Sequence, residues 1–380
     1  MTSSPAVRLG RRFSMNFSPT QSNSTASSLP AMTNWPSGRE RPGNLERNKQ
    51  VTLIQRHKIF AALLLWSSLF SISHLFAADL PVVRASYNAI GGVFTPLWLA
   101  QENKLFNKYG ISVDLKFLPL TTGTQALLTK NVDIITPGGE LLEAGLNGER
   151  VVYIAGIANK VVLSIFAKPE IQSLADLRGK VVSALAPGSI SDHLARILFQ
   201  EAGLVPGQDV KMLYLKTGPE ILAALTTGVI DAGIISAPVT LKARQAGFKE
   251  IVNVPERNIP MIHAGLATTR DFMKEHRERV RGFLQAYIEA VKYAATNPKE
   301  TKQVIGTYTK TTNQEDLDET YQTFVKVWER VPYVSTAGVQ SVLNFTRHAG
   351  AKTAKPEQFI DNSILTELEK SGFVSQVFGR

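Results

Sequence analysis

Two stretches of the chain gather backbone N–H groups, hydroxyls and small side chains of the kind that hold a small polar molecule. Residues 120–140 run LTTGTQALLTKNVDIITPGGE, and residues 215–238 run LKTGPEILAALTTGVIDAGIISAP. Each follows an apolar strand (111–118, then 210–215) through a Thr-Gly turn, Thr122-Gly123 or Thr217-Gly218. Each then forms a helix and re-enters a strand at Val132-Asp133 or Ile230-Asp231. Both second strands end in small residues, Gly138-Gly139 and Ser236-Ala237. A unit that recurs after about a hundred residues predicts two lobes of one architecture. The N-terminus of a helix carries unpaired N–H groups and the positive end of its dipole, which favours polar ligands there. Two lobes presenting such ends to each other make a clamp.

The candidate contacts follow from that geometry, because ligands of open α/β sheets sit beyond the C-terminal strand ends. In the first lobe these are Tyr87 and Asn88, Gly91 and Gly92, Thr95, Thr122, Gly123 and Thr124, and Gly138, Gly139 and Glu140. Tyr87 offers an aromatic contact and Asn88 a polar one; strand core is the alternative for Tyr87. Gly91 and Gly92 permit close backbone approach, though a plain turn also uses them. Thr122 to Thr124 serve equally well as helix caps. In the second lobe the candidates are Gly188, Ser189, Ser191, Asp192, Gly218, Ser236 and Pro238. Gly188, Ser189 and Ser191 precede a helix and can donate to an anionic group. Asp192 in the first turn satisfies the dipole itself and, with Glu140, repels a full anion. A zwitterion or cationic heteroaromatic is then as acceptable as a sulfonate, unless both acids are only caps. Asp133 and Asp231, at strand starts, are expected to be structural.

Catalytic chemistry finds little support. The chain has no GxGxxG, P-loop or HExxH pattern, and Gly188-Ser189-Ile190-Ser191-Asp192 is not the nucleophile elbow. The histidines after residue 78 (His193, His263, His276, His348) lack metal-ligand spacing. No cofactor or metal is expected. The absence of cysteine removes disulfides, thiolate metal sites, Cys nucleophiles and a lipid-modified cysteine anchor.

The positioning elements alternate strand and helix. Strands are expected at 82–87, 111–118, 151–155, 180–184, 210–215 and 250–254, with extended runs at 161–167 and 263–268. Thr95 as N-cap, Pro96 at the first helical position and Gly110 beyond the end predict one helix over 96–109. Such alternation predicts parallel α/β sheets, with the extended runs as crossings between lobes. After Thr269 the sequence is helical, over 271–297, 298–307, 314–331, 336–349 and 362–371, and predicts a flank packed on the first lobe.

The net charge of +10 is unevenly spread: residues 1–58 hold nine Lys/Arg against two Asp/Glu, a surplus of seven, which leaves three for the rest. That is no nucleic-acid face. The composition of the first fifty residues predicts a disordered basic extension, unless translation starts at Met15 or Met32. Arg56-His57-Lys58, the apolar run 59–76 and Ala77-Ala78 predict a secretory signal, with an uncleaved membrane anchor as the alternative. The expected organisation is an extension over 1–55, a signal peptide over 56–78, a first lobe from 79–167 plus 266–380, and a second lobe over 168–265. A soluble exported chain without a lipid anchor fits a bacterial periplasm.

Several segments resemble one family. They are Thr95-Pro96-Leu97-Trp98-Leu99-Ala100, Leu105-Phe106-Asn107-Lys108-Tyr109-Gly110-Ile111, Ala126-Leu127-Leu128-Thr129-Lys130-Asn131-Val132-Asp133, Leu174-Ala175-Asp176-Leu177-Arg178-Gly179-Lys180 and Ala224-Leu225-Thr226-Thr227-Gly228-Val229-Ile230-Asp231. In content and order these are similar to the solute-binding components of ABC importers for sulfonates, taurine, nitrate and thiamine precursors. The resemblance spans about residues 82–269 and is looser beyond. It implies an α/β, two-lobe type II periplasmic-binding-protein fold, each lobe a mostly parallel sheet with flanking helices, plus C-terminal helices. It also implies a monomer that closes on a small-molecule ligand between its lobes and delivers it to an ABC transporter permease. Two kinds of enzyme resemble this architecture, pyrimidine-precursor synthases and porphobilinogen deaminases, and both rely on cysteine, so no enzyme activity is expected. A ligand-binding sensory or accessory module is the other alternative, and gains if the apolar run stays uncleaved.

Overall fold

Two five-stranded sheets carry the chain, each built on the same plan. The strands are β1 (Val82–Tyr87), β2 (Ser112–Phe117), β3 (Ile134–Ile135), β4 (Val151–Lys160), β5 (Ser164–Ala167), β6 (Val181–Ala184), β7 (Lys211–Tyr214), β8 (Ala232–Ile235), β9 (Lys249–Asn253) and β10 (Pro260–Thr269). The computed structural model describes residues 79–257, 259–346 and 348–379. The extension expected over 1–55 and the signal peptide expected over 56–78 lie outside the described residues.

The first sheet has the order β2-β1-β3-β10-β4 and the second β7-β6-β8-β5-β9. In the first, β1 runs parallel to β2 and β3, and β10 lies antiparallel between β3 and β4. In the second, β6 runs parallel to β7 and β8, and β5 lies antiparallel between β8 and β9. Four strands of each sheet therefore share a direction, and the one that opposes them has just arrived from the other lobe. This moves both expected lobe boundaries. Residues 164–167 pair within the second sheet, and 260–265 pair within the first, so the crossings are shorter than the apolar runs suggested. A long apolar run marks burial in a strand but not the sheet it joins.

Each sheet starts its strands with the same device. Asp133 accepts the backbone N–H of Arg84 (2.8 Å) and its guanidinium. Asp231 accepts the backbone N–H of Val181 (2.9 Å) and the Lys168 ammonium (2.7 Å). The recurring Val/Ile-Asp step thus ties the edge of one parallel strand to the next, the structural role expected of both acids.

The helix expected over 96–109 is two pieces, Thr95–Glu102 and Leu105–Lys108, because Lys104 takes a left-handed conformation with φ of 53°. Thr95 is not an N-cap: it is the first helical residue, fully buried, and its hydroxyl donates to the carbonyl of Gly92 at 2.7 Å. Gly110 does sit beyond the helix end with φ of 77°. The two Thr-Gly turns also differ. Thr217 caps the helix Gly218–Thr226 by accepting the N–H of Glu220. In the first unit Pro119 takes the cap position, so Thr122 and Gly123 lie inside the helix Leu120–Leu128.

The C-terminal helices reach further than a flank on the first sheet. Phe283, Tyr287 and Phe324 fill the first core with Trp98 and Phe106. The helix Thr336–Phe345 adds Val339, Val342 and Leu343 to a second cluster that contains both Tyr153 of β4 and Leu194, Leu198 and Phe199 of the second lobe. Glu319 of the helix Gln314–Phe324 pairs with Arg244 at 2.9 Å and accepts the Thr240 hydroxyl. The two lobes therefore share apolar core and ion pairs. Among the described residues, no helix is long and apolar enough to cross a membrane.

Candidate functional site

A chamber of about 80 Å³ lies between the lobes, beyond the C-terminal ends of β1, β3, β6 and β8. The first lobe supplies Asn88 to Gly91, Val93, Phe94, Leu120 and Gly138, and the second supplies Leu185, Ile190, Ser191, Gly218, Ile234, Ile235, Ser236 and Val239. Leu163, on the first inter-lobe crossing, and His263, near the start of β10, complete it. Of the residues expected from the sequence, Asn88, Gly91, Gly138, Ser191, Gly218 and Ser236 come together on this wall.

The polar groups on the wall are few and oriented. Asn88 donates from its amide nitrogen to the Thr136 carbonyl (2.7 Å), and its backbone N–H donates to the Thr136 hydroxyl (3.0 Å), which leaves its side-chain oxygen without a protein partner among the described residues. The Ser191 hydroxyl accepts the N–H of Leu185 (3.0 Å) and shares a hydrogen bond with Ser189 (2.9 Å). His263 accepts the N–H of Val162 at its Nδ1 (3.2 Å), which makes Nε2 the nitrogen that carries the proton. Burial pushes this histidine down to about 4, so it is neutral at pH 7. Nε2–H has no protein acceptor among the described residues. His263 was not expected at the site: a lone histidine in an apolar strand carries no signal of what the fold brings it against.

The remaining candidates are held by the protein itself. Gly92 is packed against Thr320 and Phe324, where a Cβ would lie 2.5 Å from the Phe324 ring. Its lack of a side chain serves helix packing and not a ligand. Thr95 is spent on Gly92, as above. Tyr87 belongs to an aromatic cluster with Phe94, Trp98, Phe117 and Tyr308. Thr122 is exposed, and Gly123 faces Ser86 within the helix. Thr124 donates to Glu140 at 2.8 Å. Pro238 lies in a neighbouring groove, not on the chamber wall.

The two acids at the cleft are held in different ways. Asp192 is buried, paired with Arg196 at 3.1 Å, and accepts the Tyr214 hydroxyl and the N–H of Gly188. Ser189 caps its helix by accepting the N–H of Asp192. Asp192 in turn accepts the Gly188 N–H ahead of the helix, as the capping alternative expected of it, and presents no free charge. Burial raises the Glu140 carboxyl above its usual range, opposed by hydrogen bonds from the Gly138 N–H and Thr124.

The lobes meet directly beside the chamber. The N–H of Gly139 donates to the carbonyl of Gly188 across the interface (3.0 Å). Neither group is then available to a ligand, contrary to the sequence expectation for Gly139 and Gly188. The imidazole of His193 closes over Gly139, buried and pushed down to about 4 by desolvation.

No curated protein matches the chain in sequence. Solved structures do match in fold. A protein from Bordetella bronchiseptica RB50 is 18% identical with a TM-score of 0.68, covering 76% of this chain and 98% of its own. The periplasmic nitrate-binding protein NrtA from Synechocystis PCC 6803 is 13% identical with a TM-score of 0.61, covering 79% of this chain and 90% of its own. The periplasmic aliphatic sulphonate binding protein SsuA from Escherichia coli is 16% identical with a TM-score of 0.56, covering 77% and 94%. The type II periplasmic-binding-protein fold expected from the sequence is thus the fold of this chain. The family model described as NMT1/THI5 like matches residues 92–301, more than half of the chain, with both strand-helix units and all of the chamber wall except Asn88 to Gly91 inside the match, and the chain belongs to that NMT1/THI5-like family.

Proposed function

We propose that the chain is an extracytoplasmic solute-binding protein that captures a small organic solute between its lobes and delivers it to an ABC-type permease. One observation carries the reading: loops from both sheets converge on one chamber at the strand ends, and its polar groups point inward with hydrogen-bonding capacity to spare. The two crossings at 161–163 and 254–259 supply the hinge about which such lobes close. Binding as a monomer and export by the segment 56–78 belong to the same reading, and the absence of cysteine leaves no lipid-modified anchor. Of the solutes implied by the resemblance, a thiamine-precursor-like heteroaromatic in its uncharged form suits an uncharged wall better than a sulfonate or a taurine-like zwitterion. Burial of an ion needs a partner charge or several donors.

The test is a thermal-shift screen of residues 79–380 against taurine, alkyl and aryl sulfonates, nitrate, aromatic carboxylates and pyrimidine or thiamine-like compounds. A ligand at a hundred times its Kd stabilises by about 2.7 kcal/mol. A hit weakened by Ser236→Ala and His263→Phe supports the chamber. A panel without any hit overturns the solute-binding reading for these classes. Mass measurement of the secreted protein reports whether residues 56–78 are removed.

A further inference from the structure

The inter-lobe chamber has a larger neighbour on its outer side. A second space of about 390 Å³ lies between the helix Gly218–Thr226, the helix Val239–Gln245 and the end of the helix Pro298–Thr309. The two spaces share two wall residues, Ile90 from the first lobe and Val239 from the second. Both are apolar, and they are the boundary the two spaces have in common. The outer groove is lined chiefly by Pro219, Leu222, Ala223 and the carbon skeletons of its threonines.

Size decides what the two spaces are for. Sites for organic ligands usually occupy about 300–1,000 Å³. The chamber alone falls well short of that range, whereas the adjoining groove lies within it, so a ligand of ordinary size held by the chamber's polar groups has to extend into the groove. Charge decides the chemistry. Among the described residues, no Arg, Lys, Asp or Glu lines the chamber. The groove has Lys242, which sits 3.8 Å from the buried Asp316 carboxylate. Its wall also includes Thr311, which is 3% exposed and whose hydroxyl has no partner among the described residues.

We infer that the solute is an uncharged, elongated molecule. Its polar head is held in the chamber by Asn88, Ser191, Ser236 and His263. Its apolar remainder passes Ile90 and Val239 into the outer groove. The inference rests on the solute-binding reading above and narrows it to a ligand class.

Calorimetric titration with two matched series tests it: butanamide and octanamide as uncharged probes, 1-butanesulfonate and 1-octanesulfonate as anions of the same lengths. Octanamide is expected to bind at least tenfold more tightly than butanamide, and more tightly than octanesulfonate. Ala223→Trp fills the groove from an exposed helical position, so folding is not at risk. It should collapse the octanamide-to-butanamide ratio toward one. Val239→Phe should do the same at the shared boundary, with circular-dichroism melting as the check on its fold. Equal affinity for both chain lengths, an unchanged ratio in Ala223→Trp, preference for the sulfonates, or no binding by either amide would each overturn the inference. The solute-binding reading survives those results if the wider thermal-shift screen yields a ligand, and falls with them if it does not.

Discussion

Replacing Gly139 by alanine should hold the lobes apart. In the closed contact the Gly139 N–H donates to Gly188, and a Cβ at residue 139 would lie 2.7 Å from the Gly188 carbonyl oxygen. That is 0.7 Å short of the 3.4 Å at which ordinary contact begins, and the His193 ring is nearer still. The carbonyl belongs to the backbone, and the imidazole is only 3% exposed, so neither has room to swing aside. Insertion of a methyl into a packed site of this kind costs about 1–3 kcal/mol. The strain exists only while the lobes touch, so it subtracts from closure and not from the folding of either sheet. At 1.4 kcal/mol per tenfold change, ligand affinity should fall roughly 5- to 150-fold. Calorimetry with the tightest ligand from the screen measures that loss, and small-angle scattering of the ligand-free protein should show a larger radius of gyration. A Kd within about twofold of the parent, together with unchanged scattering, would show that the Gly139–Gly188 contact plays no part in closure.

Three further substitutions separate structural from binding roles. Gly92→Ala places a methyl against Thr320 and the Phe324 ring, and should lower stability by about 1–3 kcal/mol in denaturant unfolding; an unchanged midpoint would return Gly92 to the list of ligand contacts. Gly123→Ala meets nothing closer than Ser86 Oγ at 3.5 Å and lies within a helix, so a gain of about 0.4–1 kcal/mol in the same assay is expected, and a loss would mean the site is tighter than it looks. Asp231→Asn should cost about 1.5–3 kcal/mol at pH 7, since the ionised acceptor serves the Lys168 ammonium and the Val181 N–H. Burial pushes the Asp231 carboxyl up, but these partners pull harder and leave it below the usual carboxylate range. Its contribution is therefore present above about pH 4 and disappears as the pH falls through the depressed value. Parent and variant should converge in acid; a constant difference down to pH 2 would contradict the charge argument.

Local chemistry was the part of the fold that the residues announced. Gly110, at φ of 77°, and Thr217, bonded to the third residue of its helix, act as their types predict. The Val/Ile-Asp repeat marked a real correspondence between lobes, down to the N–H each aspartate accepts. What failed did so because a distant partner decided the outcome. Gly92 looked like a ligand loop until Thr320 and Phe324 filled the space above it. Ser189 looked like a donor to an anion and Asp192 like a free charge opposing one, but Ser189 caps its helix and Arg196 and Tyr214 complete the Asp192 network within the lobe. His263 carried no local signal, since its place on the chamber follows from where β10 enters the first sheet. Proline also broke the apparent symmetry of the Thr-Gly turns, because Pro119 set the first helix two residues ahead of Thr122.

The insertion of β10 between β3 and β4 bears on how the chain folds as it emerges from synthesis or export. All five strands of the second sheet lie within residues 164–253, so that sheet is complete once this contiguous segment is available. The first sheet is not: β3 and β4 share no hydrogen bonds with each other, and their common neighbour comes only with residues 260–269. Until then β4, ten residues long and apolar over most of its length, presents unpaired edges, the state in which strands pair with wrong partners. The N-terminal lobe should thus be the later one to fold, and pulse-labelled hydrogen exchange should find amides of β6 and β8 protected before those of β4.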